Sequence, residues 1–233
     1  MRQLRAMLKW EFILQSRYKI IHLSIASVII YYLALQTVKF INTGPFRTMF
    51  LFFDPVMIGI VFVGVLVIFE KNENTLQALT VTPMKTRNYF LAKIISLSTL
   101  SVVSALLFVF LAHGFEFNYL YMFLGVILSS VFFILLGFVL VSKCNSINEY
   151  LLRMSSSFLL LFIPPMLQAL GLYENIIFYL WPSQASFSLL GGVFGEVGLL
   201  ETVYAVAYLA LWTVLCYYLA KKAFYKHIIM GGG

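Results

Sequence analysis

Six apolar runs, each about 20 residues long, dominate this chain, and ~20 residues is the length an α-helix needs to cross ~30 Å of hydrocarbon. They occupy residues 20–38, 50–69, 94–111, 119–141, 155–172 and 203–220. The charge between them alternates. Arg2, Arg5, Lys9, Arg17 and Lys19 precede the first run, and Lys71, Lys85, Arg87 and Lys93 follow the second. Lys143 and Arg153 follow the fourth, and Lys221, Lys222 and Lys226 follow the sixth. The other connections hold only Lys39 and Arg47, so fourteen of the sixteen basic residues fall on one side. The positive-inside rule then puts both termini and the even-numbered connections in the cytoplasm. The expected fold is an all-α polytopic membrane protein: one transmembrane domain over 1–233, with six spans and both termini cytoplasmic.

Composition agrees. At 62% hydrophobic and 11% charged, with a mean hydropathy of +0.95, the chain would aggregate as a soluble globule, whereas lipid-facing helices are free to be apolar all round. The net charge of +7 does not point to nucleic acid, because its location already explains it as basic loops beside anionic headgroups. The first run lacks a small-residue cleavage site after a short core and reads as a retained span rather than a removed signal peptide. Cys144 falls at a cytosolic edge and Cys216 in the last span, so no disulfide framework is implied.

Three of the segments outside the runs carry patterns of their own. On a helix over residues 1–18, Arg2, Arg5 and Lys9 share one face, with Leu4, Met7, Trp10 and Leu14 opposite. That pattern predicts an interfacial helix on the cytoplasmic leaflet with Trp10 at headgroup level. Glu11 breaks its apolar sector. Whether this helix only sets topology or also contacts a partner stays open. The segment 70–93 is far longer than a turn between neighbouring helices requires. Asn72 or Asn74 suits the cap of a short helix carrying Leu76 and Leu79, Pro83 ends it, and a second helix starts near Thr86 and runs into the third span. From the residues alone this reads equally as a solvated loop or a docking element. Residues 173–202 contain no Lys or Arg and are broken by Pro182, Gly191, Gly192, Gly195 and Gly198. Short helices dipping into the outer leaflet, with Tyr179 and Trp181 at the interface, fit that pattern. A seventh span there would put Lys221, Lys222 and Lys226 outside, against the charge rule.

No constellation for chemistry emerges. His22, His113 and His227 have no second ligand at metal spacing, and H-E-x-x-H, G-x-S-x-G and C-x-x-C are absent. No catalytic or metal-binding residue is therefore assigned, and the chain is not read as an enzyme. Gly59 and Gly64 have the glycine spacing of a phosphate loop, but Val65 and Leu66 replace its Lys-Ser/Thr pair, so they read as a helix-packing pair or chance. Buried ionisable groups mark ion pathways in spans, and Asp54 is the sole candidate. Its place before Pro55, near the outer end of the second run, is sufficiently explained as a helix N-cap followed by proline at the first helical position. A pathway role is the alternative. Gln36 and Gln168, near the outer ends of the first and fifth runs, are further pathway candidates or merely snorkel. Ser98, Ser101, Ser104 and Ala105 form a small polar strip suited to close helix contact. Pro164 and Pro165 fall midway along the fifth run, where a kink is expected, and they are candidates for a pathway or gating role.

The stretch FFDPVMIGIVFVGVLVIFEKNENTLQALTVTPMKTRNYFLAKI resembles the second span and following loop of ABC-2 type permeases, closest to the fluoroquinolone-export-permease-like group. The likeness is carried by Asp54-Pro55, Glu70, the run Glu73-Asn74-Thr75-Leu76, Thr82-Pro83 and Lys93, and YLWPSQASFSLLGG resembles that group's outer segment. Asn74 stands where members often carry glycine. The resemblance implies the membrane subunit of a bacterial ABC exporter in the cell membrane. Its substrate pathway would form with a second permease subunit, identical or homologous, and a separate cytoplasmic ATPase would bind ATP and magnesium. This chain would then hold no cofactor itself. Residues 72–82 would be the coupling helix, with Asn72, Glu73, Asn74, Thr75, Leu76, Leu79, Thr82 and Pro83 at the ATPase contact. Two other readings are a secondary transporter or channel working without an ATPase, and a non-transporting assembly subunit. The absence of buried charge in the spans and of inverted repeats argues against the first.

Overall fold

Helices α1 (Arg2–Arg17) and α2 (Ile20–Thr37) meet at a sharp turn through Lys19, whose φ of 57° is left-handed. The computed structural model describes residues 2–38, 43–73, 75–76, 86–172, 176–195 and 197–226. Thr43 is extended and Pro45 sits in the first turn of α3 (Gly44–Val56), where its fixed φ favours a helix start. A π-helical segment (Met57–Phe62) and α4 (Val63–Asn72) continue α3 into one span. Then follow α5 (Thr86–His113), α6 (Tyr119–Val141), α7 (Ile147–Ala169), a 3-10 turn (Ile176–Leu180), α8 (Pro182–Gly191) and α9 (Leu199–Phe224). Helix starts carry their own chemistry. The Asn118 side chain accepts the Leu120 and Tyr121 N–H groups at 3.1 and 3.4 Å, and Ser146 Oγ accepts the Glu149 N–H at 3.2 Å. Gly171, at φ 63°, closes α7, and the Leu172 N–H returns to the Leu167 carbonyl.

Among the described residues, six helical segments are long and apolar enough to cross a membrane: Ile20–Thr37, Gly44–Asn72, Thr86–His113, Tyr119–Val141, Ile147–Ala169 and Leu199–Phe224. An even number of crossings puts both termini at one end of the bundle, called proximal below. Gly44–Asn72 is the central span, with 72% of its apolar window buried against 17–28% for α2, α7 and α9. The peripheral helices therefore keep apolar outer faces, which lipid or another subunit can cover.

The second span corrects the sequence reading. It starts at Gly44, not near residue 50, and Asp54 lies inside α3 rather than capping it. The helix carries on past Pro55, whose missing N–H frees the Leu51 carbonyl, and widens into the π segment directly after. Gly59, Gly64 and Gly137 form a packing seam there. A Cβ on Gly59 would lie 2.5 Å from Phe133 Cβ, and one on Gly64 would lie 2.1 Å from the Tyr150 ring. Tyr150 is fully buried and donates its hydroxyl to the Ile60 carbonyl inside the π segment. The glycine pair thus serves helix packing and no phosphate.

Helix α8 is buried from Pro182 to Leu190, packed against α3, α6, α7 and α9. The segment before the last span is therefore an inserted short helix, and α9 begins at Leu199 rather than near residue 203.

Candidate functional site

At the proximal end, three helices converge on one ammonium group. Lys93, in the second turn of α5, is 0% exposed. Its Nζ donates to both carboxylate oxygens of Glu11 on α1, at 2.9 and 3.0 Å, and to Glu70 Oε1 on α4 at 2.6 Å. Tyr89, one turn before Lys93, donates its hydroxyl to Glu70 Oε2 at 2.5 Å, and its ring centroid lies 5.1 Å from the ammonium. Gln15, also buried, donates to Ser96 Oγ at 3.0 Å and extends the same seam between α1 and α5. Burial and the nearby Glu70 charge raise the pKa of the Glu11 carboxyl, against the lowering pull of Lys93. The two carboxylates also face a cavity of about 380 Å³ walled by Met7, Trp10, Thr75 and Tyr89.

Two sequence expectations change here. Glu11 is no flaw in an amphipathic helix: α1 is held to α5 by burying it, while Arg5, Lys9 and Trp10 stay exposed. Nor is Asp54 the sole buried charge in the spans, since Glu70 and Lys93 are both buried. The signal was present as opposite charges at the proximal ends of successive helices, but one sequence does not reveal which of them meet.

The hub frames the long connection between the second and third spans. Asn72 ends α4 and is exposed, so it caps no new helix. Glu73 accepts the Tyr18 hydroxyl at 2.7 Å and lies 3.8 Å from Arg17, tying the exit of α4 to the turn between α1 and α2. Lys71 Nζ donates to the Cys144 carbonyl and to Asn145 Oδ1 at 3.2 and 2.7 Å. Thr75 and Leu76 are helical, but Leu76 is 4% exposed and packs into the protein's own core instead of facing outward. Asn74, Leu79, Thr82 and Pro83 lie outside the described residues. Thr86 does open α5, as its spacing predicts.

The pathway candidates separate into different places. Asp54, 3% exposed, accepts a hydrogen bond from Ser104 on α5, and Ser98 of the same strip accepts one from Ser130 on α6 at 3.1 Å. The small polar strip thus joins α5 to both neighbours. Gln36 remains exposed at the end of α2. Gln168 does not snorkel: its side-chain oxygen accepts from the Gln184 amide on α8. Pro164 and Pro165 lie in the last two turns of α7, not midway, and the helix passes through both. The carbonyl of Leu160, which loses its helical partner at Pro164, accepts the Trp181 indole N–H at 2.8 Å instead. Trp181→Phe should therefore cost about 1 kcal/mol of stability. In a Pro164→Ala background the restored helical bond should shrink that loss to near zero. A double-mutant cycle by thermal melting checks this, and equal losses in both backgrounds would show that Trp181 acts through packing alone.

The model of the fluoroquinolones export permease protein family matches residues 2–231. Two relatives, the fluoroquinolones export permease proteins of Mycobacterium tuberculosis strains CDC 1551 / Oshkosh and ATCC 25618 / H37Rv, are each 28% identical to this chain over 228 residues. The match covers 97% of this chain and 96% of theirs. No solved structure matches it. Six apolar crossings and an end-to-end family match lead to one conclusion: the chain is a multi-pass membrane permease that belongs to the fluoroquinolones export permease family.

Proposed function

We propose that this chain is the membrane subunit of an ABC exporter in a bacterial cell membrane. It forms the substrate pathway with a second permease subunit, identical or homologous, and is driven by a separate ATPase that binds ATP and magnesium. The proximal end is the cytoplasmic one, as the bias of fourteen basic residues supports. The observation that carries the reading is the buried Lys93 hub. It bolts α1 and the facing ends of the second and third spans into one body at the root of the connecting segment. A push delivered to residues 72–82 by an ATPase would then move both spans together instead of bending the loop. The resemblance to ABC-2 permeases supports the same role for that segment. The chain itself is a transport subunit, and hydrolysis belongs to its partner.

The direct test is purification in mild detergent from the native host. An ATPase should co-purify, with its hydrolysis stimulated by the permease, and recovery of the permease without one would overturn the reading. Within it, Leu79 is the other apolar contact of the segment to test, Leu76 being buried in the core. Leu79→Asp should weaken ATPase binding by about 2 kcal/mol or more while leaving the melting temperature unchanged. Undiminished co-purification would remove Leu79 from the interface.

Orientation is tested by single cysteines in a chain lacking Cys144 and Cys216. Asn118→Cys and Glu196→Cys should react with an impermeant maleimide on intact cells, whereas Asn74→Cys and Ser146→Cys should react only after lysis. The reverse pattern would invert the topology.

A further inference from the structure

Two carboxylates share one ammonium in the proximal hub, which leaves the buried cluster one negative charge in excess. A buried charge without a counter-ion is costly, and a proton is the smallest group that removes it. The two acids are not equally placed to take one. Glu70 draws its hydrogen bonds from two residues, Lys93 and Tyr89, whereas both oxygens of Glu11 depend on Lys93 alone. Glu11 is also where burial and the Glu70 charge raise the carboxyl's affinity for a proton.

Gln15 supplies the second observation. It follows Glu11 by four residues on α1, so the two side chains are neighbours on one face of the helix. Both reach the same turn of α5, Glu11 to Lys93 and Gln15 to Ser96. Ser96 Oγ has one proton, which it gives to the Lys93 carbonyl at 3.2 Å. It must therefore accept from Gln15, and this fixes the amide with Nε2 toward Ser96. Gln15 is 0% exposed, and its Oε1 finds no donor among the described residues. A carboxylate beside it cannot help, because it only accepts. A carboxylic acid has the O–H that Oε1 lacks.

We infer that the hub is a proton-binding site: Glu11 holds a proton whose O–H donates to Gln15 Oε1, while its other oxygen keeps the Lys93 ammonium. One proton then removes the excess charge and satisfies the orphan acceptor together. The cavity that Glu11 and Glu70 face opens the site to solvent. Among the described residues, the titratable groups acting on Glu11 are Lys93 and Tyr89 of α5 and Glu70 of α4. Helix α2 also packs against α1, but its His22 is exposed. The folded chain binds this proton more tightly than the unfolded one. Its stabilisation is therefore complete below the ordinary glutamate pKa of 4.5 and is lost as pH rises through the raised value. Docking of α1 on α5 thus weakens as the surrounding solution turns alkaline.

The test uses the full chain purified in detergent without an ATPase, so its outcome is independent of the exporter reading. Glu11→Gln copies the protonated acid, since its amide N–H groups can donate to Gln15 Oε1 and its carbonyl can accept from Lys93. The wild type should melt at progressively lower temperature from about pH 5 to about pH 9. Glu11→Gln should lose that decline and melt at least about 3 °C above the wild type at the alkaline end. Were Glu11 only an ion-pair partner, the variant would be the less stable protein at every pH. Gln15→Leu should move the midpoint of the wild-type decline down by about one pH unit, a tenfold weaker hold on the proton, which lost packing alone would not do. In infrared spectra, a carboxylic-acid C=O band that fades over the same pH range in the wild type should be missing from Glu11→Gln. Should Gln15→Leu fail to fold, the other two measurements decide. Glu11→Gln melting below the wild type at the alkaline end, or an identical infrared titration of the two proteins, would overturn the proposal and leave Glu11 as a carboxylate paired with Lys93.

Discussion

Lys93→Met is expected to be among the most damaging single substitutions in this protein. It would leave Glu11 and Glu70, 3% and 4% exposed, facing each other with no counter-charge. Breaking a buried ion pair by removing one partner costs about 3–5 kcal/mol, a large share of the roughly 5–15 kcal/mol that holds a typical protein folded. The melting temperature in detergent and the amount of protein in the membrane should both fall sharply. By contrast, Glu73→Gln loses only an ion pair whose partners are 60% and 43% exposed, at 3.8 Å, and keeps an amide oxygen to accept from Tyr18. Its exposed ion pair is worth at most about 1 kcal/mol. A third variant separates stability from mechanism: Lys93→Met combined with Glu11→Leu and Glu70→Leu removes every charge together. Apolar replacement of a whole buried ion cluster is often neutral or stabilising, so folding should return. If the hub serves to move α1 and two spans as one body, transport should stay low in that refolded variant. Normal melting of Lys93→Met alone would show that the hub contributes nothing to the fold.

The spans were legible because hydrocarbon thickness fixes their length. Apolarity alone predicts a span over residues 119–141, and these are the bounds of α6. Helix ends were less legible, because apolarity stops where charge begins while backbone hydrogen bonding does not. Helix α7 starts at Ile147, well before its apolar run, because Ser146 caps it and Arg153 pairs with Glu149 at 2.9 Å along its exposed surface. Asp54 looked like a cap because an acid before proline suits one. A hydroxyl fifty residues away, on Ser104, instead lets it sit inside the bundle. Glu11 was hidden for the same reason, since its partner lies eighty-two residues along the chain. Each contact needs the fold before its two halves can be matched.

The glycine seam between the second span and α6 and α7 makes the other large prediction, because two of its members meet different kinds of neighbour. A Cβ on Gly64 would lie 2.1 Å from Cε1 and Cζ of Tyr150, which are side-chain atoms. One on Gly137 would lie 2.3 Å from Val63 Cγ1, and also 2.5 Å from the Gly59 carbonyl oxygen, which is backbone of the π segment. Both alanine variants overpack a core with no room to yield, at a cost of about 1–3 kcal/mol each. Their rescue should differ. Tyr150→Leu removes the ring atoms that obstruct position 64, so the pair Gly64→Ala and Tyr150→Leu should be little worse than Tyr150→Leu alone. That non-additivity is the signature of direct contact. Val63→Ala clears only one of the two obstructions at position 137, so Gly137→Ala should stay destabilised in that background. Thermal melting of the two double mutants reads the difference directly. Recovery of Gly137→Ala by Val63→Ala would mean that the π segment gives way under pressure. The carbonyl of Gly59 could then move, and the centre of the second span would be a hinge rather than the rigid rod that transmission from the proximal hub requires.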